Sequence, residues 1–399
     1  MRVLRRAIML FLSVKLLTLL SNLFAFPTLR RSSSTKTSAL LIPMRDETDR
    51  LPQTLEGLLG SGATTTTFLD DQSSDGTGQM VESALAATSF SSGKVIVGTA
   101  RPQGWTGKTW ACAQLADSVL LTAQPAANPP SPSGASLLEI GPVARHRAPL
   151  GETLAPSVNQ TAAPDYLIFV DADIYLAPNA IPAIIAEATR QSADVLSIFP
   201  RQVTRTWSER ALVPLVNDVL LCFLPFALLK APVKQAATAN GSVLAFRTAA
   251  YEALGGFAAV KGHTVEDVAM ARHTRQRGLK LGLALGGDLV STRMYTGYPD
   301  IITGFGRGLV PAAGGSRAAV LAGWAWHILA YTLPLLLIRR GPWRWAAALA
   351  VVERALVEAK SGTRDWPAAA LIGLSPLAAI PVVAQAMKRE QNWKGRAYR

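Results

Sequence analysis

The chain has 399 residues, enough for two or three domains or for one large domain with additions. Forty Lys and Arg against 27 Asp and Glu give a net charge of +13, yet only 17% of the residues are charged and 49% are hydrophobic. This combination excludes a disordered chain, which would be poor in apolar residues, and argues against a nucleic-acid binder, which would be basic and hydrophilic. A basic chain with a mean hydropathy of +0.23 instead indicates a membrane-associated protein. Two cysteines, Cys112 and Cys222, are too few for a disulfide scaffold or a Cys-rich metal site.

An apolar run near the N-terminus, residues 7–26, is long enough to span a membrane. Lys15 and Asn22 interrupt it, and basic residues flank it on both sides. The pattern predicts a membrane anchor within residues 1–30, with a signal peptide as the alternative. The run is not followed by a small-x-small cleavage site, which favours the anchor.

Two further apolar runs near the C-terminus, residues 318–338 and 367–387, are each long enough to span. The segment between them, 343–360, carries charges and predicts an amphipathic helix at the membrane interface. We therefore expect C-terminal membrane helices within 318–387. The basic tail, 388–399, then faces the cytoplasm under the positive-inside rule, and two spans keep the middle of the chain on that side.

The middle of the chain, residues 37–310, alternates short apolar runs with helix-like segments. Strand-like runs end at Pro43, at Asp71 and at Asp171. This alternation predicts an α/β domain with a mostly parallel sheet, in which ligands bind at the carboxyl ends of the strands. Residues 125–164, rich in Pro, Ala, Ser and Gly, interrupt the pattern and predict a disordered surface insertion.

The first candidate motif is LIPMRDE, residues 41–47, where a strand exit is followed by Arg45, Asp46 and Glu47. Charged residues after a strand can border a ligand at the edge of the sheet. A solvated loop explains the same residues equally well, so this motif decides nothing alone.

The second motif is FLDDQSSDGT, residues 68–77. Asp75 is explained as a cap of the following helix. Capping does not explain the adjacent Asp70 and Asp71, whose carboxylates can accept a hydrogen bond from a base N–H or a ribose hydroxyl.

The third motif is GWTGKTWA, residues 104–111, in which Lys108 opens a predicted helix. The helix dipole does not favour a cation there. A phosphate bound at the same helix N-terminus would explain the lysine. The motif is not a P-loop, because its spacing differs.

The fourth motif, DYLIFVDADIYLAP over residues 165–178, carries the strongest signal. A hydrophobic strand leads directly into Asp171 and Asp173, and alternate residues of an extended chain share a face. Carboxylate ligands without Cys or His favour Mg²⁺ or Mn²⁺. An exposed acidic turn is the alternative.

The fifth motif, GHTVEDVAMARHTRQRG over residues 262–278, places Glu266 and Asp267 at the start of a helix. Thr264 and Asp267 have capping-box spacing, and acids are common in a first helical turn for dipole reasons alone. The preceding NGSVLAFR, residues 240–247, predicts a loop and a strand.

Taken in order over residues 38–310, these motifs resemble the family 2 glycosyltransferases of the GT-A fold. GWTGKTWAC, the segment 293–308 and the closing 393–398 are more specifically similar to the membrane-anchored carotenoid- and hopanoid-associated glycosyltransferases. The resemblance implies a GT-A fold, a Rossmann-like mixed sheet for nucleotide-diphospho-sugars, joined to N- and C-terminal membrane helices. It places the protein at the cell membrane with the catalytic domain facing the cytoplasm.

The resemblance also implies a nucleotide-sugar donor lying across the strand ends. Asp71 would contact the uracil or its ribose, and Lys108 would help to hold the nucleotide. The residues expected to bind the nucleotide-sugar are Pro43, Arg45, Glu47, Asp70, Asp71, Lys108 and Asp171.

For the reaction itself, the resemblance implies that Asp171 and Asp173 bind the divalent cation, Mg²⁺ or Mn²⁺, on the diphosphate. Asp267 would be the catalytic base, with Glu266 supporting it or the acceptor. One base opposite the leaving group predicts direct displacement with inversion, from an α-linked donor such as UDP-glucose to a β-linked product.

Processive relatives carry a Gln-x-x-Arg-Trp motif, whereas the corresponding region here reads GFGRG, residues 304–308. Transfer of a single sugar to a membrane lipid such as a carotenoid or hopanoid alcohol is therefore favoured. Arg293 or Arg307 could contact phosphate, or either could face lipid headgroups. The apolar run 211–233, which contains Asn217 and Asp218, is either a membrane-dipping acceptor groove or a buried helix.

Two alternatives remain open at this stage. A polyprenyl phosphate acceptor ionises without help and needs less from a base. A catalytically inactive membrane scaffold could also keep the fold, although Asp171, Asp173 and Asp267 argue against it.

Overall fold

The computed structural model describes residues 1–87, 92–122, 162–231, 237–263, 265–363, 365–388, 391–393 and 396–398. Most of the predicted insertion, Thr264 of the predicted capping box and much of the basic tail lie outside these residues.

A seven-stranded sheet forms the centre of the catalytic domain. Its strands are β1 (Ser38–Met44), β2 (Thr65–Asp70), β3 (Gly93–Val97), β4 (Tyr166–Val170), β6 (Val195–Phe199), β8 (Val243–Arg247) and β9 (Leu281–Leu285). Their spatial order is β3-β2-β1-β4-β8-β6-β9, and β8 alone among them runs antiparallel to its neighbours. The α/β prediction with a mostly parallel sheet is confirmed.

Helices cover both faces of this sheet, which explains why β4 is buried at all five positions. The helices of this domain are α2 (Leu55–Leu59), α3 (Thr77–Ala87), α4 (Gly107–Leu120), α5 (Ala180–Arg190), α6 (Trp207–Leu212), α7 (Leu215–Phe223), α8 (Phe226–Lys230), α9 (Thr248–Leu254) and α10 (Glu266–Gln276). One core cluster includes α2 and α5, and a second, on the other face, includes α4 and α9.

The topology brings several loops to one edge of the sheet. Asp71 follows β2, and its backbone N–H donates to the carbonyl of Met44 at the end of β1 (2.8 Å). Because β8 is antiparallel, its beginning lies at that same edge, where the N–H of Asp171 donates to the carbonyl of Ser242 (3.0 Å). The second motif thus lies beside the first, and the fourth lies beside the 240–247 segment that precedes the fifth.

A small second sheet extends this edge. It orders β5 (Ile174–Leu176), β10 (Val290–Thr292) and β7 (Arg201–Gln202) side by side. Thr292 pairs with Ile174, directly after Asp173, and its hydroxyl donates to the carbonyl of Asp173 (3.1 Å). The chain that leaves β10 therefore begins beside the acidic motif.

The terminal regions are helical, and a short hairpin follows them. The helices are α1 (Arg2–Ala25), α11 (Tyr298–Ala312), α12 (Arg317–His327), α13 (Leu333–Leu336), α14 (Trp343–Ser361), α15 (Ser375–Ala378) and α16 (Ile380–Ala386), and the hairpin pairs β11 (Gln391–Trp393) with β12 (Arg396–Tyr398). A π-helical turn, Ile328–Thr332, joins α12 to α13. Among the described residues, α1 and the stretch Arg317–Leu336 are long and apolar enough to span a membrane.

The third predicted span, residues 367–387, is not one continuous helix. It consists of a 3₁₀ segment, Trp366–Gly373, followed by α15 and α16. Each of these pieces has a proline at its first or second position, and proline cannot continue a helix that precedes it.

The two polar residues that interrupt the apolar N-terminal run face the protein. Lys15 forms ion pairs with Asp218 of α7 (3.0 Å) and Glu353 of α14 (3.6 Å) and donates to the hydroxyl of Tyr331. The Asn22 amide donates to two backbone carbonyls at the end of α7. α1 therefore packs as an integral helix of the structure rather than as a detached anchor.

The opposite face of α1 is apolar and exposed. Leu10, Val14 and Leu17 are each more than half exposed. A helix that faces water normally shows polar residues outside and apolar residues inside, and α1 reverses that order.

α14 has the same reversed pattern, which corrects the prediction of an interfacial amphipathic helix over 343–360. Three of its charged residues, Glu353, Arg354 and Glu358, point inward: Arg354 pairs with Glu358 (2.8 Å), and both of these side chains are buried. Trp345 and Val352 are exposed instead. The charges that suggested a polar outer face belong to the interior of the helical bundle.

For the run 211–233, the structure favours a buried helix over an acceptor groove as the explanation of its polar residues. Asn217 and Asp218 are buried on α7, and Asp218 meets Lys15. α7 packs on α1 and α14, and its buried residues share an apolar cluster with Phe199 of β6 and Leu285 of β9.

Candidate active site

A pocket of about 480 Å³ lies where the strand exits meet. Motifs predicted separately from the sequence contribute to its lining. The predicted residues that line it are Pro43, Arg45, Glu47, Asp71, Lys108, Asp171, Asp173 and Glu266.

Lys108 is the charged centre of this pocket. Its ammonium lies 2.6 Å from Asp171 Oδ1 and 3.3 Å from Glu266 Oε1, and it donates to the carbonyl of Gly241 (3.1 Å). Burial opposes its charge, but Asp171 and Glu266 outweigh burial and hold the pKa of Lys108 well above its usual value. The lysine therefore remains a cation in contact with acids from two motifs.

The N-terminus of α4 holds Lys108 in place. Thr106 caps the helix, since its hydroxyl accepts a hydrogen bond from the N–H of Thr109. Lys108 is the second residue of α4, as the sequence predicted, and the first helical turn faces the pocket through Gly107 and Lys108. Free N–H groups of a first turn and an ammonium together suit an anion.

Asp71 and Arg45 form the other side of the pocket. Arg45 donates to the Asp71 carbonyl (2.6 Å), and its guanidinium lies 3.9 Å from the Asp71 carboxylate. Asp71 is buried and lines the pocket. A buried carboxylate at a strand end is a suitable acceptor for N–H or O–H groups of a ligand.

Asp70 and Asp75 have local roles in the same loop. Asp70 accepts a hydrogen bond from the N–H of Ser73 (2.8 Å) and packs against Gly78 of α3, so its side chain turns away from the pocket. Asp75 accepts from the N–H of Thr77, the first residue of α3, which confirms its predicted capping role.

Asp173 lies in the pocket close to two other carboxylates. Burial, with the negative charges of Asp171 and Glu47, raises its pKa to about 6. A divalent cation would relieve this repulsion, and two carboxylates suit Mg²⁺ or Mn²⁺. Within the described ranges, no group of three His, Cys, Asp or Glu side chains could hold a metal ion by itself, so a ligand and water would have to complete the coordination.

The paired acids of the fifth motif occupy different places. Glu266 lines the pocket. Asp267 lies behind it, where its carboxylate accepts from the N–H of Gly241 (2.7 Å) and from that of Val268 (2.7 Å). Burial, together with the charge of Glu266, raises the pKa of Asp267 to about 6.

Part of the pocket wall was not predicted from the sequence. Arg50, Met294, Tyr295 and Pro311 line it in addition to the predicted residues, and so does Arg307, one of the two arginines expected to contact phosphate or lipid headgroups. Burial raises the pKa of Tyr295 to about 12, which keeps its phenol neutral. The sequence singled out the 293–308 segment for its resemblance and for its two arginines, and its position beside Asp173 follows from the pairing of β10 with β5.

The two arginines of this segment have different roles. Arg293 forms a two-pronged ion pair with Glu209 (2.9 and 3.2 Å), whose side chain is fully buried. Arg307 lines the pocket. Of the two, Arg307 is the one in reach of a ligand there.

Comparisons with known proteins agree with this geometry. The model of glycosyl transferase family 21 matches residues 154–294, about a third of the chain, which includes Asp171, Asp173, Glu266 and Asp267. A sequence search of curated proteins found no match.

Solved structures share the fold at low sequence identity. The mannosyltransferase PcManGT from Pyrobaculum calidifontis, in complex with GDP-Man and Mn²⁺, has a TM-score of 0.50 and 13% identity, covering 96% of this chain and 98% of its own. TarS 1-349 of S. aureus in complex with UDP-GlcNAc has a TM-score of 0.39 and 12% identity, covering 90% and 95%. Glucosyl-3-phosphoglycerate synthase from Mycobacterium tuberculosis has a TM-score of 0.37 and 13% identity, covering 79% and 86%.

The predicted GT-A fold is confirmed by the sheet and by its likeness to PcManGT. The family match names family 21, so family 2 itself and the carotenoid- or hopanoid-associated subgroup are not shown. What the family match and the fold support together is a glycosyltransferase of the GT-A fold.

Proposed function

We propose that this protein is an inverting glycosyltransferase that moves one sugar from a nucleotide-sugar to a hydroxyl group of a membrane lipid. One observation carries the proposal: Asp171, Asp173, Glu266 and Lys108 line a single pocket at the carboxyl edge of a GT-A sheet. Sugar transfer needs acids and a positively charged side chain that face the donor phosphates, and a base for the acceptor hydroxyl; Asp267, next to Glu266 in the chain, lies directly behind this pocket.

On the donor side, Asp71 would accept hydrogen bonds from the base or ribose, while Lys108 and Arg45 would face its phosphates. Asp171 and Asp173 would hold Mg²⁺ or Mn²⁺, which stabilises the negative charge that develops on the departing diphosphate. PcManGT, which shares the fold, is in complex with GDP-Man and Mn²⁺. UDP-glucose and GDP-mannose are therefore the first donors to test.

On the acceptor side, Asp267 would take the proton of the attacking hydroxyl. Glu266 is instead engaged in an ion pair with Lys108 (3.3 Å). The pKa of Asp267 is raised to about 6, and a general base is most effective when its pKa lies near the working pH. A single base opposite the leaving group gives inversion, so an α-linked product from UDP-glucose would contradict this mechanism.

The reversed helices support a membrane acceptor. Lys15 in the middle of α1 and Glu353, Arg354 and Glu358 of α14 are buried, while apolar residues of both helices are exposed, which is stable when lipid rather than water surrounds those faces. Basic residues near both chain ends would lie by anionic headgroups, with the catalytic domain on the cytoplasmic side. Carotenoid- or hopanoid-like alcohols fit such a location.

Arg50 and Arg307 favour a second candidate, transfer to polyprenyl phosphate, because both arginines line the pocket and could bind the phosphate of the acceptor. Asp267→Asn separates the two candidates. An alcohol acceptor needs the base and would lose nearly all transfer, whereas an ionised phosphate would keep much of it.

The main test is mass spectrometry of total lipids from cells with and without the protein. A glycosylated lipid that disappears with the protein identifies the acceptor and the sugar together. Purified protein that neither binds nor hydrolyses UDP-glucose or GDP-mannose with Mn²⁺ present would instead favour an inactive scaffold, and an unchanged lipid profile would contradict the proposed acceptor class.

A further inference from the structure

Strand β6 carries a single polar side chain, that of Ser197. The strand reads VLSIF and is buried at every position, and Ser197 is 0% exposed. Leu196 and Ile198 pack in the core cluster on one face of the sheet, while Val195 and, by alternation, Ser197 face the other side. A hydroxyl in such surroundings is costly unless it is hydrogen-bonded, so an aliphatic residue would suit the position better for packing alone.

The Ser197 hydroxyl binds both backbone groups of Asn240. It donates to the Asn240 carbonyl (3.0 Å) and accepts from the Asn240 N–H (2.7 Å). The pairing of β6 with β8 ends at Ser197 and Leu244, so these two bonds take the place of ladder bonds for the chain just before β8. The Asn240 side chain in turn accepts from the N–H of Ser242 (2.9 Å). Ser197 and Asn240 thus fix residues 240–242, the Gly241 loop.

The Gly241 loop contacts three residues of the candidate active site through its backbone. The Gly241 carbonyl accepts from the ammonium of Lys108 (3.1 Å), and the Gly241 N–H donates to the carboxylate of Asp267 (2.7 Å). The Ser242 carbonyl accepts from the N–H of Asp171 (3.0 Å). A shift of this loop would therefore change the hydrogen bonds of the lysine and of the proposed base together.

The loop lies directly against the paired acids of α10. A methyl group at Gly241 would lie 3.1 Å from Glu266 Oε1 and 3.2 Å from Asp267 Cβ, so the close approach of the backbone requires a glycine. Ser197, Asn240 and Gly241 do not line the pocket themselves. Their contacts reach the reacting groups from behind.

We propose that Ser197 is a positioning residue of the sugar-transfer reaction, which holds Asp267 in place through the Gly241 loop. This inference rests on the proposed function, in that it assigns a residue behind the pocket to that reaction. Without the Ser197 hydroxyl, both backbone groups of Asn240 lose their partner. Buried backbone groups without partners are costly, so the loop would move to find new ones and would draw the Gly241 N–H away from Asp267.

The first test uses the matched pair Ser197→Thr and Ser197→Val, which add the same bulk and differ in the hydroxyl. The full chain in detergent is given Mn²⁺, UDP-glucose or GDP-mannose, and a total lipid extract of cells that lack the protein. At about pH 8, the valine variant should have a kcat at least about tenfold below that of the threonine variant, because a displaced base reacts slowly. Binding of UDP or GDP with Mn²⁺ should change less than about twofold, since Lys108 keeps its contacts with Asp171 and Glu266.

A second pair guards against the case that the larger side chains prevent folding. Ser197→Ala should lower kcat as the valine variant does. Ser61→Ala is its control, because Ser61 is equally buried and donates to the Leu58 carbonyl (2.8 Å) but does not line the pocket or contact the Gly241 loop. It should leave kcat unchanged.

The pH profile of kcat/KM distinguishes positioning from a general loss of stability. The hydrogen bond from Gly241 lowers the pKa of Asp267, and the charges that act on Asp267, those of Glu266 and Lys108, are unchanged in these variants. A weaker bond should therefore move the acidic limb to higher pH by about half a unit or more in the valine and alanine variants. The limb should stay in place in Ser197→Thr and Ser61→Ala.

Hydrogen exchange tests the loop without any sugar transfer. The amides of 240–242 should exchange at least about fivefold faster in Ser197→Val than in Ser197→Thr, because their protection depends on the hydroxyl. In Ser61→Ala these amides should exchange as in the wild-type protein.

The outcomes separate the two proposals. Transfer by the wild-type protein, with the same kcat, limb and exchange rate in Ser197→Thr and Ser197→Val, would overturn the positioning role and leave the proposed function in place. Faster exchange with an unchanged kcat and limb would also overturn it, since Ser197 would then anchor the loop without serving the base. A wild-type protein that transfers sugar to no lipid of the extract would overturn the proposed function, and the positioning role with it.

Discussion

Asp267→Asn should make the protein more stable and nearly inactive. The carboxylate has a pKa raised from 3.8 to about 6. A raised pKa means that the folded state binds the proton more tightly than the unfolded state, so at pH 7 the ionised Asp267 costs about 3 kcal/mol of folding free energy. Asparagine removes that charge but loses one of the two hydrogen bonds from Gly241 and Val268, which costs about 1–2 kcal/mol. The net expectation is a gain of about 1–2 kcal/mol at pH 7, measured as a higher Tm or denaturation midpoint.

The stability gain should depend on pH in a set direction. As the pH falls from about 6 toward 3.8, Asp267 takes up a proton in the folded state before it does so in the unfolded state, and its cost decreases to zero. The difference in stability between the wild-type protein and the variant should therefore shrink toward zero near pH 4.5. A variant that is less stable than wild type at pH 7 and unchanged in its pH dependence would refute the assignment of a buried, charge-repelled carboxylate.

Activity should change with pH in the opposite direction to stability. A protonated carboxyl cannot accept the hydroxyl proton, so kcat/KM should fall about tenfold per pH unit below about pH 6. Asp267→Asn should lower kcat by about 10²–10⁴-fold and remove this acidic limb. Glu266→Gln is the matched control, because it removes a charge that raises the pKa of Asp267. The acidic limb of the kcat/KM profile of this variant should therefore move to lower pH. If Glu266→Gln instead abolishes the limb and costs more activity than Asp267→Asn, Glu266 is the base.

Three further predictions concern ion pairs and the metal. Lys15→Met leaves the buried Asp218 without its cation and should destabilise the protein by about 3–5 kcal/mol, seen as a lower Tm in detergent, whereas a Tm within a degree of wild type would show that the ion pair adds nothing. Arg293→Met should destabilise the fold by about 3 kcal/mol. Arg307→Met should instead raise KM for the donor or acceptor with little change in Tm. The same effect of both variants on Tm and KM would contradict the separate placement of the two arginines. Chelation by EDTA should abolish transfer, Mn²⁺ or Mg²⁺ should restore it, and Asp173→Asn should need much more metal for half-maximal rate. Full transfer in EDTA would contradict a metal site at Asp171 and Asp173.

The sheet and the acidic side of the pocket could be predicted because both leave local signals. β4 is a pure apolar run, and Asp171 and Asp173 follow it at once. Parallel neighbours must place their ends at one edge, so residues that are far apart in sequence come together by topology alone. The antiparallel β8 brought the Gly241 loop to this edge as well, and that step has no sequence signal of its own.

The wall formed by Tyr295, Gly308 and Pro311 could not be predicted in the same way. Its residues carry no charge pattern, and their position depends on β10 pairing with β5 across more than a hundred residues. The sequence also did not show which face of the terminal helices is polar, since a charged residue in an apolar run suggests an exposed face. Lys15 and Arg354 are buried instead, because each finds a carboxylate on another turn or helix. Which face of a helix is polar depends on its partners, and the partners are not visible in the local sequence.

The terminal helices and the pocket form one structural unit. α1 leads through Leu29, whose N–H donates to Leu285, onto the edge strand β9 of the central sheet. α11 packs on α16 through Gly306 and Gln385 while its other face, with Gly308, lines the pocket. A lipid surface around these helices would therefore fix the position of the pocket relative to the membrane, and the side of the pocket made by α11 is continuous with the C-terminal helical region.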